Sequence, residues 1–298
     1  MSRPAVLFWV YRDLLVCRNR LDLLRRDNPD TAIFGLYGGP AAEADRFRDA
    51  LAPQLDDFWA FPDSESSKWK WLNGDLMLAA WYEARGRDLA WEHVFVAQWD
   101  MLVLRPLDEL LPDLGDRDVL LSGVQPVAAV QPHWVWAKGG HAPTYTAFVE
   151  WAQARFGAVE PQACLFVIAC LPRALFEAYR ELGVPATGYV EYRLPTIAKG
   201  VGLNLVDDPR FGSWSPADGR AGPANRRDRF LNGSRHPILL PTVLAELARS
   251  DGARVFHPYH GLFPLSPGWA ARSPAWAAIA SARAGRKAVS ARTAKLLR

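Results

Sequence analysis

From Val94 to Leu107 the chain is almost wholly apolar, interrupted only by Gln98, Asp100 and Arg105. A run of this kind, rich in valine and aromatic residues and closed by Pro106, reads as a strand covered on both faces, and such strands belong to sheets sandwiched between helices. It also isolates one acid. An unpaired carboxylate is costly to bury, so Asp100 is expected at the end of the strand, facing a cleft and holding a cation or hydrogen bonds.

The rest of the chain alternates in a way that fits such a sheet. Val6 to Val10 reads as a buried strand. Leu14, Cys17, Leu21 and Leu24 follow at helical spacing, with Arg18, Asp22 and Arg25 on the other side. Thr31 to Tyr37 reads as a second strand, closed by Gly38-Gly39-Pro40 as a turn, and this β-α-β opening predicts parallel strands joined by a right-handed crossover. A helix is expected from about Asn73, its N-cap, with Leu76, Ala79 and Ala80 on one face. Pro106 suits the first turn of a short helix through Leu111, and Val119–Val124 and Leu165–Ala169 read as further strands. The expected fold is α/β: a mostly parallel central sheet flanked by helices, without internal repeats.

Length and composition bound the function classes. With 298 residues, half of them hydrophobic, the chain can bury a sizeable core. We read residues 1–270 as a single catalytic-size domain and 271–298 as a basic tail. That tail holds Arg272, Arg283, Arg286, Lys287, Arg292, Lys295 and Arg298 and no acid, so the net charge of +3 is a property of the tail and the body is mildly acidic. An acidic body argues against an extended nucleic-acid footprint. The tail alone is suited to peripheral contact with an anionic membrane or with RNA, or else is a solvated, partly frayed end. The N-terminal apolar run is broken by Arg12 and Asp13 with no cleavage-site pattern behind it, and no stretch reaches the roughly 18 apolar residues of a membrane span. Cys17, Cys164 and Cys170 lack metal-ligand spacing and fit a reducing, cytoplasmic setting as small core residues. Between Phe211 and His236, glycines and prolines punctuate a run containing Arg220, Arg226, Arg227, Arg229 and Arg235, read either as a phosphate-clamping lid or as a solubilising loop.

In open α/β sheets ligands bind beyond the carboxyl ends of the strands, where Tyr11, Arg12, Gly38 and Asp100 are expected to emerge. At this point the chain resembles a known family. The segment Phe95 to Leu110, a hydrophobic strand carrying Gln98-Trp99-Asp100 and followed by Arg105-Pro106-Leu107 and Asp108-Glu109-Leu110, is similar to the metal-binding strand of GT-A glycosyltransferases. Gly188 to Thr196, with Glu191, is similar to their acidic acceptor-site helix, and Phe256-His257-Pro258-Tyr259-His260-Gly261 to the late histidine that completes the metal site. Taken in order, the likeness spans roughly residues 5 to 265. It departs from the family at Gln98, which stands where the first acid of an Asp-x-Asp motif is usual.

The resemblance implies transfer of a sugar from a nucleotide-diphosphate donor to a hydroxyl acceptor, assisted by a divalent ion that neutralises the departing diphosphate. Oxygen ligands suit Mg2+ or Mn2+, and an imidazole tips the balance toward Mn2+. Asp100 and His257 are the implied protein ligands, with His260 as the alternate. Glu191 is the implied general base of an inverting transfer, an acceptor-binding group in a retaining one, or a plain capping acid; Pro195 suggests a helix starting near it, whose N-terminus would keep it ionised. In Lys68 to Asp75, Lys70 is suited to a phosphate, Trp71 to stacking, and Asp75 to a ribose or sugar hydroxyl or to an ordinary first-turn role. Gln98 joins Tyr11 and Arg12 on the donor side. Among the 13 tryptophans, Trp9 and Trp151 are expected in the core, whereas Trp134 and Trp136, two apart on an expected strand face, are candidates for an acceptor platform. Two other readings compete: a GT-A-like sugar- or nucleotide-binding protein without turnover, which Gln98 permits, and a metallohydrolase, for which no His-Glu-x-x-His pattern is present.

Overall fold

The computed structural model describes residues 4–62, 64–211, 230–231 and 237–265. The arginine-rich segment around residues 212–229 and 232–236 and the basic tail lie outside the described residues, so the lid and membrane-contact expectations concern chain not described.

The elements follow in the order β1 (Ala5–Val10), α1 (Leu14–Asp27), β2 (Ile33–Tyr37), α2 (Ala44–Leu51), β3 (Asp57–Ala60), α3 (Ser67–Leu72), α4 (Gly74–Ala84), β4 (His93–Gln98), β5 (Leu102–Val103) and α5 (Leu107–Leu110). They continue with β6 (Asp118–Pro126), α6 (Val127–Val130), α7 (Ala142–Phe156), β7 (Gln162–Pro172), α8 (Arg173–Leu182), α9 (Val190–Gly200), β8 (Asn204–Val206), α10 (Leu240–Leu247) and β9 (Val255–Phe256). Seven strands form one sheet in the order β3-β2-β1-β4-β7-β6-β8, and β5 pairs with β9 in a separate antiparallel ribbon. The expected β1-α1-β2 unit is parallel, β4 lies parallel on the other side of β1, and only β7 runs against its neighbours. The Leu165 strand is therefore longer than expected and antiparallel.

Side-chain alternation divides the core into two layers. Val6, Phe8, Val10, Phe95, Ala97 and Trp99 pack with Val16, Cys17 and Leu21 of α1 and Phe47 and Leu51 of α2. Leu7, Trp9, Val94 and Val96 point the other way, onto Met77, Leu78 and Trp81 of α4 and Val190, Leu194 and Ile197 of α9. By the same parity Gln98 faces the α4 and α9 side, while Trp99 faces α1. All three cysteines are buried and unpaired.

Helix boundaries depart from expectation where local signals were overridden. Asn73 precedes α4, but its side chain makes no cap; Nδ2 donates back to the Trp69 carbonyl and Oδ1 accepts from Arg193. Pro195 lies inside α9 rather than at its start. Having no N–H, it leaves the Glu191 carbonyl without its usual donor and loosens the first turn. The expected strand at Trp134–Trp136 is instead a helical corner over Val135–Ala137, and a two-residue spacing in such a turn does not share a face. Trp134 is buried against Tyr192, whereas Trp136 is only partly covered. Among the described residues, no helix is long and apolar enough to cross a membrane.

Candidate active site

The carboxyl ends of β1 and β4 sit side by side, with Trp9 opposite Gln98 and the Trp99 N–H bonded to the Trp9 carbonyl at 2.9 Å. Two groups of side chains meet at this edge, one on each side.

The first is built around Asp100. β4 ends at Gln98 and the chain turns tightly, with the Met101 N–H returning to the Gln98 carbonyl, so that Asp100 sits in the turn before β5. β5 pairs Leu102 with Phe256 and Val103 with Val255, and Tyr259 N–H bonds to the Asp100 carbonyl at 2.8 Å. This ribbon delivers both histidines. His257 Nε2 lies 3.3 Å from Asp100 Oδ1 and His260 Nε2 lies 3.5 Å from Oδ2. His260 stacks on Trp99, and the guanidinium of Arg12 lies 5.0 Å from the centre of the Trp99 ring. Burial pushes the Asp100 carboxyl up, but His257 and His260 opposite it more than offset this, and the net shift is downward.

The loop that carries the histidines is tied to α1. Arg20, only 1% exposed, donates through Nη2 to the carbonyls of Tyr259 (2.8 Å) and Gly261 (2.7 Å) and lies over the Tyr259 ring. Asn19 exchanges hydrogen bonds with the Phe263 backbone in both directions. Neither residue stood out in the sequence, although Arg20 falls on the buried stripe of α1, where a charge needs a reason.

The donor chemistry of this cluster fits a divalent ion in part. Asp100 Oδ1 is buried and receives no hydrogen bond of normal geometry among the described residues. Ligand atoms held about 2.1 Å from one ion at roughly right or tetrahedral angles lie about 3.0–3.4 Å apart, close to the His257–Asp100 separation. No three His, Cys, Asp or Glu side chains among the described residues close into a metal cage. What stands here is an open set, one carboxylate facing two imidazoles, that needs ligand oxygens and water to fill a shell.

The second group is a pocket on the α9 side, walled by Trp9, Trp71, Trp136, Phe166 and Tyr189, with Gln98 and Glu191 as its polar members. Gly74 lets α4 approach Trp9; a Cβ there would sit 2.8 Å from the indole. Three residues of β7, Phe166 to Ile168, bulge out of register between the pairs Leu121–Ala169 and Ser122–Leu165. The bulge frees the Phe166 peptide to serve the site. Its carbonyl accepts from Gln98 Nε2 at 3.0 Å, and its N–H donates to Glu191. Trp136 supplies a second donor to Glu191 through its indole, and its ring meets Trp71 at 5.4 Å, His141 at 5.1 Å and Tyr189 at 5.5 Å.

Burial pushes the Glu191 carboxyl up to about 7, and the donors from Phe166 and Trp136 offset this only in part. Glu191 does lie in the first turn of α9, yet the expectation that the helix N-terminus keeps it ionised fails, because desolvation between aromatic walls outweighs the dipole. Tyr11 links the two groups, with its ring edge-to-face with Trp9 at 6.3 Å and with Trp99 at 5.8 Å. Burial and the Asp100 charge raise its phenol.

Other expected site residues lie elsewhere. Asp75, 2% exposed, accepts from Arg193 Nε (2.7 Å) and Nη2 (2.5 Å) and from the Tyr179 hydroxyl (2.9 Å). It anchors α4 to α9 inside the core instead of facing a ribose. Lys70 is turned inward, buried with its ammonium over Phe61. Trp71, 56% exposed, lines the pocket on the α9 side. Trp9, expected only as core, is buried but also forms a pocket wall. Trp151 is partly buried against Phe148 and Phe156.

No protein-family model and no curated protein matches the chain. Solved structures similar to it include core-mannan synthase A from Aspergillus fumigatus in a Mn/GDP form, at 10% identity over 69% of this chain and 73% of that one, TM-score 0.38. The galactosyltransferase LgtC with donor and acceptor sugar analogs is similar at 14% identity over 70% of this chain and 74% of its own, TM-score 0.38. A cytidylyltransferase from Leptospira borgpetersenii is similar at 8% identity over 70% and 76%, TM-score 0.37.

Proposed function

We propose that this chain is a glycosyltransferase that moves a sugar from a nucleotide-diphosphate donor at the Asp100 cluster to a hydroxyl acceptor in the Glu191 pocket. The observation that carries the reading is the adjacency of two unlike subsites at one sheet edge. One is an open acid–imidazole set suited to a charged leaving group, and the other is an aromatic pocket holding a carboxylate with its pKa at about 7.

In this reading Asp100 and His257, with His260 beside them, hold Mn2+ or Mg2+. When bound, the ion supplies Lewis-acid stabilisation of the departing diphosphate. Arg12 lies on Trp99 at the same edge, where its charge can pair with a donor phosphate. Tyr11 packs between Trp9 and Trp99, where the two subsites meet. Glu191 accepts the acceptor hydroxyl's proton as that oxygen bonds to the anomeric carbon. The bond from that carbon to the diphosphate breaks in the same step, and its electron pair leaves with the diphosphate. A base with a pKa near working pH is well matched to this task. Gln98 supports the pocket through the Phe166 carbonyl and is not assigned to the ion.

The test is thermal. Nucleotide diphosphates with manganese are expected to raise the melting temperature of the wild type and not of Asp100→Ala. Glu191→Gln is expected to keep that shift while losing transfer. Equal protection without metal and in the Asp100 variant would refute the donor site. A wild type that shows the shift but neither transfers nor hydrolyses any donor would make the protein a binder.

A further inference from the structure

The geometry points to an uncharged pyranose as the acceptor class, lying with an apolar ring face against Trp136 and Trp71 and a hydroxyl directed at Glu191. This deepens the proposed function and rests on it for the identity of the reaction, though not for binding.

The argument starts from what lines the pocket. Among the described residues five of its walls are aromatic rings, the other apolar members are Leu72 and Val190, and the polar groups are the side chains of Gln98 and Glu191 with the Tyr189 hydroxyl and the indole N–H groups. No lysine or arginine lines it among the described residues. A carboxylate or phosphate entering such a site would lose its hydration and meet an acid instead of a cation. Acidic sugars, sugar phosphates and anionic phospholipid headgroups are therefore disfavoured by charge.

An alkyl alcohol would satisfy the walls but leave the polar groups of the pocket short of partners. A pyranose satisfies both. One face of the ring presents C–H groups, which suit the negative faces of indoles, while its rim carries hydroxyls that both donate and accept. The pocket's polar groups are matched to that rim. The Glu191 carboxylate is an acceptor beside two donors already in place, and the Tyr189 hydroxyl is held 2.9 Å from His141 Nδ1 at the outer side. The rim is also built to take a flat ring from solvent: Trp71 is 56% exposed and meets Trp136 at an interplanar angle of 68°, making an open aromatic corner. Trp136 is fixed by His141 and Tyr189 as well as Trp71, so the corner is formed before the ligand arrives.

The test uses the full chain and matched probes of one ring: methyl glucopyranoside, methyl galactopyranoside and methyl mannopyranoside as neutral ligands, and glucuronic acid and glucose 6-phosphate as charged ones. Saturation-transfer NMR and tryptophan fluorescence report binding. At least one neutral glycoside is expected to bind at millimolar concentration through its ring C–H protons, and the two charged probes at least tenfold more weakly. Trp136→Ala is expected to weaken the neutral probe at least tenfold, and Trp136→Phe, which keeps a ring, by much less. Each variant's nucleotide-diphosphate melting shift is measured alongside, as a check on folding and on the donor site. Charged probes binding as well as neutral ones, no neutral probe binding, or a neutral probe indifferent to Trp136→Ala would overturn the assignment. Loss of the wild-type nucleotide shift with pyranoside binding intact would instead overturn the donor reading alone.

Discussion

Replacing Glu191 by glutamine should make the protein more stable, and only above the ordinary pKa of the carboxyl. In the folded chain the carboxyl is pushed from its ordinary value of 4.5 up to about 7 by burial among Trp9, Trp136, Phe166 and Tyr189. The folded state therefore binds this proton more tightly than the unfolded one. The stability associated with it is fully present below about pH 4.5 and is lost as pH rises through about 7. A displacement of two to three pH units at about 1.4 kcal/mol per unit gives a penalty of about 3 kcal/mol above pH 8, an upper figure because water entering at the open rim screens part of it. Glutamine keeps the shape and never ionises. Urea unfolding of the wild type and Glu191→Gln at half-unit intervals from pH 4 to pH 8.5 should show stabilities that nearly coincide at the acid end, separate progressively between about pH 4.5 and 7 and run level above that, the variant becoming more stable by up to about 3 kcal/mol. Transfer by the wild type should rise over the same interval, since a base acts only when ionised. A difference independent of pH, or a wild type that gains on the variant as pH rises, would show that the carboxyl is not desolvated as described.

Two further outcomes follow from buried charge. Arg193→Leu strips Asp75 of its partner in the core and should cost about 3–5 kcal/mol in urea unfolding, much of it recovered in the double variant Asp75→Leu/Arg193→Leu. A single variant within 1 kcal/mol of wild type would mean the pair is hydrated. Arg20→Gln releases the carbonyls of Tyr259 and Gly261 and should weaken manganese binding, read by titration calorimetry, along with a stability loss of about 2–4 kcal/mol. Arg20→Lys should restore stability more than metal affinity, because one ammonium can bond both carbonyls but cannot also hold Asn19 Oδ1, which Nη1 reaches at 2.6 Å and which ties the Phe263 end of the histidine loop. Equal metal affinity in all three proteins would remove Arg20 from any role in placing the histidines.

The sheet was legible because its central strands are short apolar runs set between turn residues and amphipathic stripes. β1, β2 and β4 fall where periodicity puts them, and Asp100 emerges at the carboxyl edge as the cost of burying it requires. The meeting of Asp100 with both His257 and His260 follows the order of segments that the family resemblance supplied. What was not legible depends on partners far away in the chain. Nothing near Asp75 reveals that Arg193 and Tyr179 will enclose it, and its place in a first helical turn looks the same whether it faces a ligand or the core. Lys70 misled for the same reason. The spacing of Trp134 and Trp136 fits a strand face as well as a helical corner, and local sequence does not choose between them. The raised pKa of Glu191 is a property of four rings gathered from β1, β7, α9 and the corner before α7, and no local segment contains it.

The pairing of β5 with β9 sets an order on the assembly of function during synthesis. The seven-stranded sheet is complete once Val206 has been made, and α9 with Glu191 is by then in place, whereas β9 starts only at Val255. Domains generally fold as their N-terminal parts emerge. A nascent chain between those two points can already own the aromatic pocket while His257 and His260 do not yet exist. In the proposed scheme such a chain can grip an acceptor and has no imidazoles with which to hold the ion and the donor. In that scheme activity arrives in one late step, when the returning strand zips against Leu102 and Val103.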